Sequence, residues 1–582
     1  MVATVRQLLT LLLLVMLGSG AVAGCTKSDS GPGAEGPQEP GRTTDFPTAS
    51  STTSTSPAPP PPASGRQPPQ TDPASPRDTT TPHPVGFRTA YAYPDGVSVK
   101  VTKIRRTQAA GRLRTTTRHS VKQGSPIQVL LVRITNGSDH PLDVTAHAAM
   151  RYGPKNHKAP EIRNGDAAAL SGSLPTGASR TGKLTFAVPT KHLHQATLRL
   201  SWTASHSPAV FSGSLGYTPS NGVLFNDPTG SKADQLRITR HIERSIDGAP
   251  PGSTIRIVQY SFDIESAAKK LVAAFERGVH IQMIVDQHDQ IVTKQTTTLI
   301  DLLGSNRKKN SFLVRCGASC MSNRVSTMHA KYYLFSQVGS AKMVSMVGSA
   351  NITHTNSKGS WNDMQTFVGD AVLYDSLRRY FNDMAPDHNN RNYYRTTTSG
   401  PVTLYFFPRA KKHRVLLLQA LDGVTCSGAA PGYGKNGHTV VQVTMYSWRV
   451  PRIDIAKKLW RLHDAGCRVQ IILNRSRTDL AVKQVLARRS AKHGVMDLYD
   501  AWVDRNGNNV AERYMHQKGI TISGVWNGRP DAKVVYSGSQ NFAPLSTTDN
   551  NELVLRKVDD ATYDAYARNF RYAVQHGTRR LF

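Results

Sequence analysis

The chain has 582 residues, with 72 Lys and Arg against 40 Asp and Glu and a formal net charge of +32. That length accommodates several domains, and that charge implies anionic partners without choosing among acidic lipid, wall polymer and nucleic acid. No Walker loop, no GxGxxG after a strand and no HExxH occurs, so nucleotide-dependent and zinc-protease readings have no support.

Residues 1–24 read as an export signal, with Arg6 near the start, an apolar run from Leu8 to Leu17, then Val22-Ala23-Gly24-Cys25. The run is too short for a membrane-spanning helix. The closing tetrad resembles the bacterial lipobox, which implies cleavage before Cys25 and lipidation of its thiol; the alternative is a plain secretory signal cut near Ala23. A lipid on Cys25 would anchor the protein to the outer face of the bacterial cell membrane, with later release left open. Residues 25–85 are Ser, Thr, Pro and Gly with hardly a large apolar side chain. Such a stretch cannot offset its ordering entropy and is expected to be a disordered stalk, reaching up to ~190 Å at ~3.1 Å per residue.

From 86 to 220 the pattern changes to short alternating strands such as VSVKVTKI, IQVLLVRI and ATLRLSW, separated by turns such as Asn136-Gly137. This predicts a small all-β sandwich, similar to the immunoglobulin-like domains of bacterial surface lipoproteins. It holds 18 Lys and Arg against 5 Asp and Glu, a net +13. Two readings stand: a basic module that touches wall polymer or another anionic surface, or an inert spacer.

The rest of the chain, 221–400 and 401–582, repeats itself. Residues 255–286 and 440–474 both run strand, Tyr-Ser, a helix near Ala-Lys-Lys-Leu, glycine, then an apolar strand. Tyr260 and Ser261 match Tyr446 and Ser447, Gly278 matches Gly466, and Asp286 matches Asn474. Upstream, Phe225–Pro228 answers Phe406–Pro408. Downstream come His329, Lys331, Gly348, Ser349 and Asn351, and then His516, Lys518, Gly538, Ser539 and Asn541. Asn362 and Asp363 answer Asn551 and Glu552. Histidine beside lysine, followed by a glycine turn with serine and asparagine, suits phosphate chemistry. Imidazole attacks phosphorus or protonates a leaving oxygen, while Lys331, Lys518, Asn351 and Asn541 hold the non-bridging oxygens, with Ser349 and Ser539 assisting.

These residues resemble the phospholipase D superfamily, whose signature is H-x-K-x4-D followed by G-S-x-N. The resemblance implies an α/β fold of two pseudo-twofold lobes whose histidines meet at the interface, and a metal-independent phosphodiesterase without cofactor. By that likeness His329 is the nucleophile, forming a phosphohistidine, and His516 the general acid, with the reverse assignment left open. The signature aspartate is Ser336 in the first copy and Ser523 in the second. Asp363 and Glu552, resembling the family's later acidic residue, are expected to orient the two imidazoles. Tyr260 and Tyr446 read as pocket walls. Asp286 to Asp289 (DQHD), with His288, resembles metal ligands superficially but has no second cluster to pair with.

The expected substrate is phospholipid or a related glycerophosphate diester, acted on by a monomer beside its membrane. A nuclease of the same superfamily and a catalytically silent phosphate-binding protein are the alternatives. Aromatics make up only 7% of the chain, with no array for stacking single strands. Cys316 and Cys320 are spaced for a small disulfide loop, Cys467 aligns with Val279 at a core position, and Cys426 lies in a Gly-rich loop. That scattered spacing does not suit a zinc site.

Overall fold

The structure, a computed structural model, describes residues 83–117, 120–162, 168–288, 292–410 and 414–581. The expected export signal, the expected lipidation site Cys25, the expected stalk up to residue 82, and Asp289 lie outside the described residues. Val85, assigned to the stalk from sequence, donates its N–H to Val210 O at 3.0 Å, so paired backbone begins ahead of residue 86.

Two antiparallel four-stranded sheets follow. One runs Tyr91–Ala92, Ser98–Gln108, Pro126–Thr135, Ser179–Ala187; the other runs Ala209–Gly213, Ala196–Ser201, His147–Tyr152, His157–Lys158. Alternate side chains of Ala196–Ser201 are buried, as a half-covered strand requires. Val99, Leu130, Val132, Leu198, Trp202 and Phe211 join one core between the sheets.

Two mixed α/β lobes complete the chain. The first has a seven-stranded sheet in the order Gly222–Phe225, Asp363–Val368, Ala341–Gly348, Tyr332–Val338, Thr254–Gln259, His280–Asp286, Phe312–Cys316. The second repeats that order as Val402–Phe406, Leu553–Val558, Arg529–Gly538, Gly519–Trp526, Val440–Met445, Arg468–Leu473, Asp497–Asp500. It adds Arg395–Ser399, Val424–Thr425 and Arg579–Arg580 at its margins. In each lobe only the strands after the Tyr-Ser helix are parallel to their neighbours, because a crossover helix separates them. Those helices are Glu265–Glu276 and Ile453–Asp464, with Ala267, Ala268 and Leu271 buried in one and Ile455, Ala456 and Leu459 in the other.

Each lobe closes with a helix that also packs against the other lobe. Leu377, Tyr380 and Phe381 of Ala371–Met384 share a core with Leu404, Phe406 and Leu553. Tyr563 and Tyr566 of Asp560–Gly577 pack against Val223 and Phe225, with the Phe225 and Tyr566 rings 4.9 Å apart. The Cys316–Cys320 disulfide is formed as the spacing suggested. Cys426 and Cys467, left unpaired from sequence, form a second.

Candidate active site

Each histidine of the repeat stands just ahead of a central strand: His329 before Tyr332–Val338, His516 before Gly519–Trp526. A buried polar residue at the end of a parallel strand fixes the approach. Met328 N–H donates to Asp286 Oδ2 at 2.7 Å, and Met515 N–H donates to Asn474 Oδ1 at 2.9 Å. The other oxygen of Asp286 receives His288 N–H at 3.0 Å and pairs with the His288 ring. The metal-like cluster therefore serves as a backbone clamp under His329.

The two lobes then exchange partners. His329 N–H donates to Asn551 O and His516 N–H to Trp361 O, each at 3.0 Å. His329 Nδ1 lies 3.0 Å from both Glu552 carboxylate oxygens, and His516 Nδ1 lies 2.9 Å from Asn362 Oδ1. Both rings are thus held by the opposite lobe through Nδ1.

This corrects the expectation that Asp363 orients an imidazole. Gly348 pairs with Met364 and Gly538 with Val554, so the counterpart of Asp363 is Leu553 and that of Glu552 is Asn362. Asn362 and Glu552 each follow the motif asparagine by 11 residues, the spacing that would have found them. Neighbours in extended chain point to opposite sides, so Asp363 turns away from the ring. It accepts hydrogen bonds from Ser537 Oγ and Tyr566 OH, and its charge favours the Lys518 ammonium.

Ser349 and Ser539 also differ from expectation. Both are buried behind the site. Ser349 Oγ donates to Asn362 Oδ1 at 3.1 Å and accepts Asp363 N–H; Ser539 Oγ donates to Glu552 and accepts Leu553 N–H. A serine after the close-packed glycine bonds to the strand beside it and braces the imidazole partner. Ser336 and Ser523 do not reach the histidines: each is five residues past its lysine, ~17 Å along an extended strand. Ser336 Oγ accepts Thr254 N–H at 2.8 Å, and Ser523 Oγ accepts Gly434 N–H at 2.9 Å.

A cavity of about 620 Å³ opens over the lobe junction, lined by His329, His516, Asn351, Asn541, Tyr260 and Tyr446. The tyrosines are walls, as read from sequence, with ring centres 5.2 Å from His329 and 4.9 Å from His516. Asn351 and Asn541 keep buried Oδ1 atoms without partners among the described residues. Lys331 and Lys518 lie beneath, each donating to its own histidine's carbonyl, with Nζ 5.4 and 5.0 Å from the Tyr260 and Tyr446 ring centres.

Burial disfavours charge throughout. It pushes the Lys331 ammonium down to about 7 against the pull of Glu552 and Asp286, and takes Lys518 well below the usual lysine range, aided by Lys331. His516 is driven well below the ordinary imidazole range by burial, then by Lys518, Lys331 and His329. Burial lowers His329 too, but Glu552 opposes the fall. Burial works to raise Glu552, yet His329, Lys331 and Ser539 hold it below the usual carboxylate range. The result is one imidazole backed by a carboxylate and one without such compensation.

A family model described as the cardiolipin synthase, PLD-like domain matches residues 242–385 and 435–574. Among solved structures, phosphatidylserine synthase from Haemophilus influenzae is 12% identical, over 62% of this chain and 87% of that one, with a TM-score of 0.41. The phospholipase D family member Nuc from Salmonella typhimurium is 23% identical, over 29% of this chain and 94% of that one, with a TM-score of 0.21. A histidine-to-asparagine mutant of yeast tyrosyl-DNA phosphodiesterase is 10% identical, over 58% of this chain and 90% of that one, with a TM-score of 0.35. No curated protein matches the chain. With both half-motifs facing one cavity and the family model matched in both lobes, the chain belongs to the phospholipase D superfamily.

Proposed function

We propose that the protein is a phospholipase D-type phosphodiesterase acting through a phosphohistidine on His329. The observation that carries the assignment is the unequal backing of the two rings: a carboxylate under His329, a neutral amide under His516. With Nδ1 engaged, Nε2 is the nitrogen each ring offers to substrate. His329 Nε2 attacks phosphorus while His516 Nε2 gives its proton to the departing oxygen, and the P–O bond breaks. Glu552 compensates the positive charge that remains on phosphorylated His329. His516 lacks that compensation and so releases its proton readily, while the negative charge of the bound phosphodiester favours the protonated ring until the transfer. Neutral His516 then takes a proton from water, whose oxygen attacks phosphorus. The P–N bond breaks, a phosphate monoester leaves and His329 is regenerated. Asn351, Asn541 and the two lysines would hold the phosphate oxygens, and an alcohol in place of water would give transphosphatidylation.

A lipid substrate is supported by Val325 and Leu545, 86% and 41% exposed, at the rim of an otherwise polar cavity. Anchoring through Cys25 would place that mouth beside phospholipid. A second observation favours a chain-like phosphodiester: a groove with Lys358, Arg505 and Arg513 adjoins the cavity at Thr355. The silent-receptor alternative loses its main argument, since Ser336 and Ser523 stand outside the site. The test is mixed phospholipid vesicles in EDTA, wild type beside His329→Asn, following phosphatidic acid and headgroup. Product from wild type alone supports the proposal. Inactivity of both on lipid, with cleavage of single-stranded nucleic acid or poly(glycerol phosphate), moves the substrate to that polymer.

A further inference from the structure

The second lobe contains another cavity, of about 480 Å³, between its sheet and the helix Asp560–Gly577. Lys435, Arg468, Lys533, Arg568 and Arg571 line it against a single acid, Asp564. Lys533 is paired with Asp564 at 3.0 Å, and Arg468 reaches Asp497 only at 3.9 Å. Lys435, Arg568 and Arg571 form no ion pair among the described residues.

The floor is polar where a core is expected. A sheet face covered by a helix ordinarily carries apolar side chains. Here it carries Gln442, Gln470 and Ser523, with Gln442 Nε2 donating to Gln470 Oε1 at 3.0 Å. In the first lobe the equivalent positions, Arg256, Gln282 and Ser336, are also polar, but what covers them differs. Strand register equates Gln442 with Arg256, which lies 5.9 Å from the Phe381 ring centre amid Phe312, Tyr332 and Tyr374. Aromatic packing fills the first lobe; the second leaves a basic hollow.

Ser523 completes the floor, as Ser336 does at the same place in the first lobe. It is 3% exposed on the cavity floor and stands where the H-x-K-x4-D signature has aspartate. An aspartate there would put a carboxylate among the cations. Serine adds no carboxylate for Lys435, Arg568 and Arg571 and keeps a hydroxyl at the bottom of the hollow.

We propose that this cavity is a second anion site, which binds a phosphate group through Arg568, Arg571 and Lys435 over the Ser523 floor. It is separate from the histidines, ~17 Å along the strand from Lys518, and stands whether or not the active-site reading holds. The phosphate could belong to a lipid headgroup or to a phosphate polymer, since the contacting chemistry is the same.

The experiment is isothermal titration of the full chain with inorganic pyrophosphate at about 0.15 M salt, where exposed charges are screened. Two variants accompany wild type: Arg568→Gln with Arg571→Gln, and Ser523→Asp. The expected result is loss of one binding equivalent, or at least about tenfold weaker binding, in both variants. Hydrolysis of bis(p-nitrophenyl) phosphate should stay within about twofold of wild type, because neither variant touches the histidines. Unchanged pyrophosphate binding in both variants would overturn the proposal, as would parallel loss of hydrolysis. Competition then identifies the source: displacement by phosphatidylglycerol vesicles means headgroups, by poly(glycerol phosphate) means polymer, and by neither means a small soluble phosphate.

Discussion

Replacing Glu552 by Gln tests the unequal backing of the two histidines. The substitution keeps the shape and leaves a carbonyl to accept the Nδ1 proton, the arrangement Asn362 already makes with His516 at 2.9 Å. Only the charge is lost. Across the 3.0 Å contact, an effective dielectric of ~20 gives an ion-pair energy of about 5.5 kcal/mol. Part of this survives as a neutral hydrogen bond, so the expected loss is about 2–4 kcal/mol, or ~30- to 1,000-fold in rate. Bis(p-nitrophenyl) phosphate isolates the step, because its acidic leaving group needs no help from His516. Rapid-quench measurement of the first p-nitrophenolate turnover should show that loss in Glu552→Gln. Asn362→Asp should slow the same turnover less than about tenfold. A Glu552→Gln burst within about threefold of wild type, or a larger loss in Asn362→Asp, would refute the assignment of His329 as nucleophile.

Three further outcomes are expected. His516→Asn should still release the first p-nitrophenolate but accumulate an acid-labile, alkali-stable phosphoenzyme, because the base for its hydrolysis is gone; a mass increase located on His329 checks this. Lys331 is a cation below about 7 and neutral above it, so competitive inhibition by tungstate should weaken about tenfold per pH unit above that point. Lys331→Arg keeps its charge and should flatten the decline between about pH 7 and 9; an unchanged slope would remove Lys331 as its cause. Replacing Cys426 and Cys467 by Ser opens a 41-residue loop and should cost about 4 kcal/mol by loop entropy, seen as a lower melting temperature with activity at about 25 °C retained.

The repeat was legible because the strands and helices recur in the same order at nearly constant separation, down to Phe225 and Phe406 ending equivalent strands opposite Asp363 and Leu553. The pocket residues His329, His516, Asn351 and Asn541 follow from the same periodicity. The partner of His516 did not, because a search for carboxylates favours Asp363 over Asn362, although the 11-residue spacing selects the amide. In extended chain a one-residue shift turns a side chain to the opposite face. By sequence alone Ser349 and Ser539 follow a glycine turn beside the phosphate-binding asparagines and read as assisting them. The strand pairing beside Gly348 and Gly538 instead points them at the imidazole partners. The Cys426–Cys467 pairing is set by where the Gly-rich loop meets the strand Arg468–Leu473, and no local pattern records that. The polar floor at Gln442 and Gln470 was likewise invisible, since a lone glutamine in an apolar strand reads as a solvent-facing position until its cover is known.

The exchange of partners between lobes has a consequence during synthesis. His329 is made 223 residues before the carboxylate that supports it, whereas the amide that supports His516 is made 154 residues ahead of it in the other half. A nascent or truncated chain that ends ahead of Glu552 lacks the carboxylate that engages His329 Nδ1. Under the proposed function, both rings are therefore supported only once the two halves have docked.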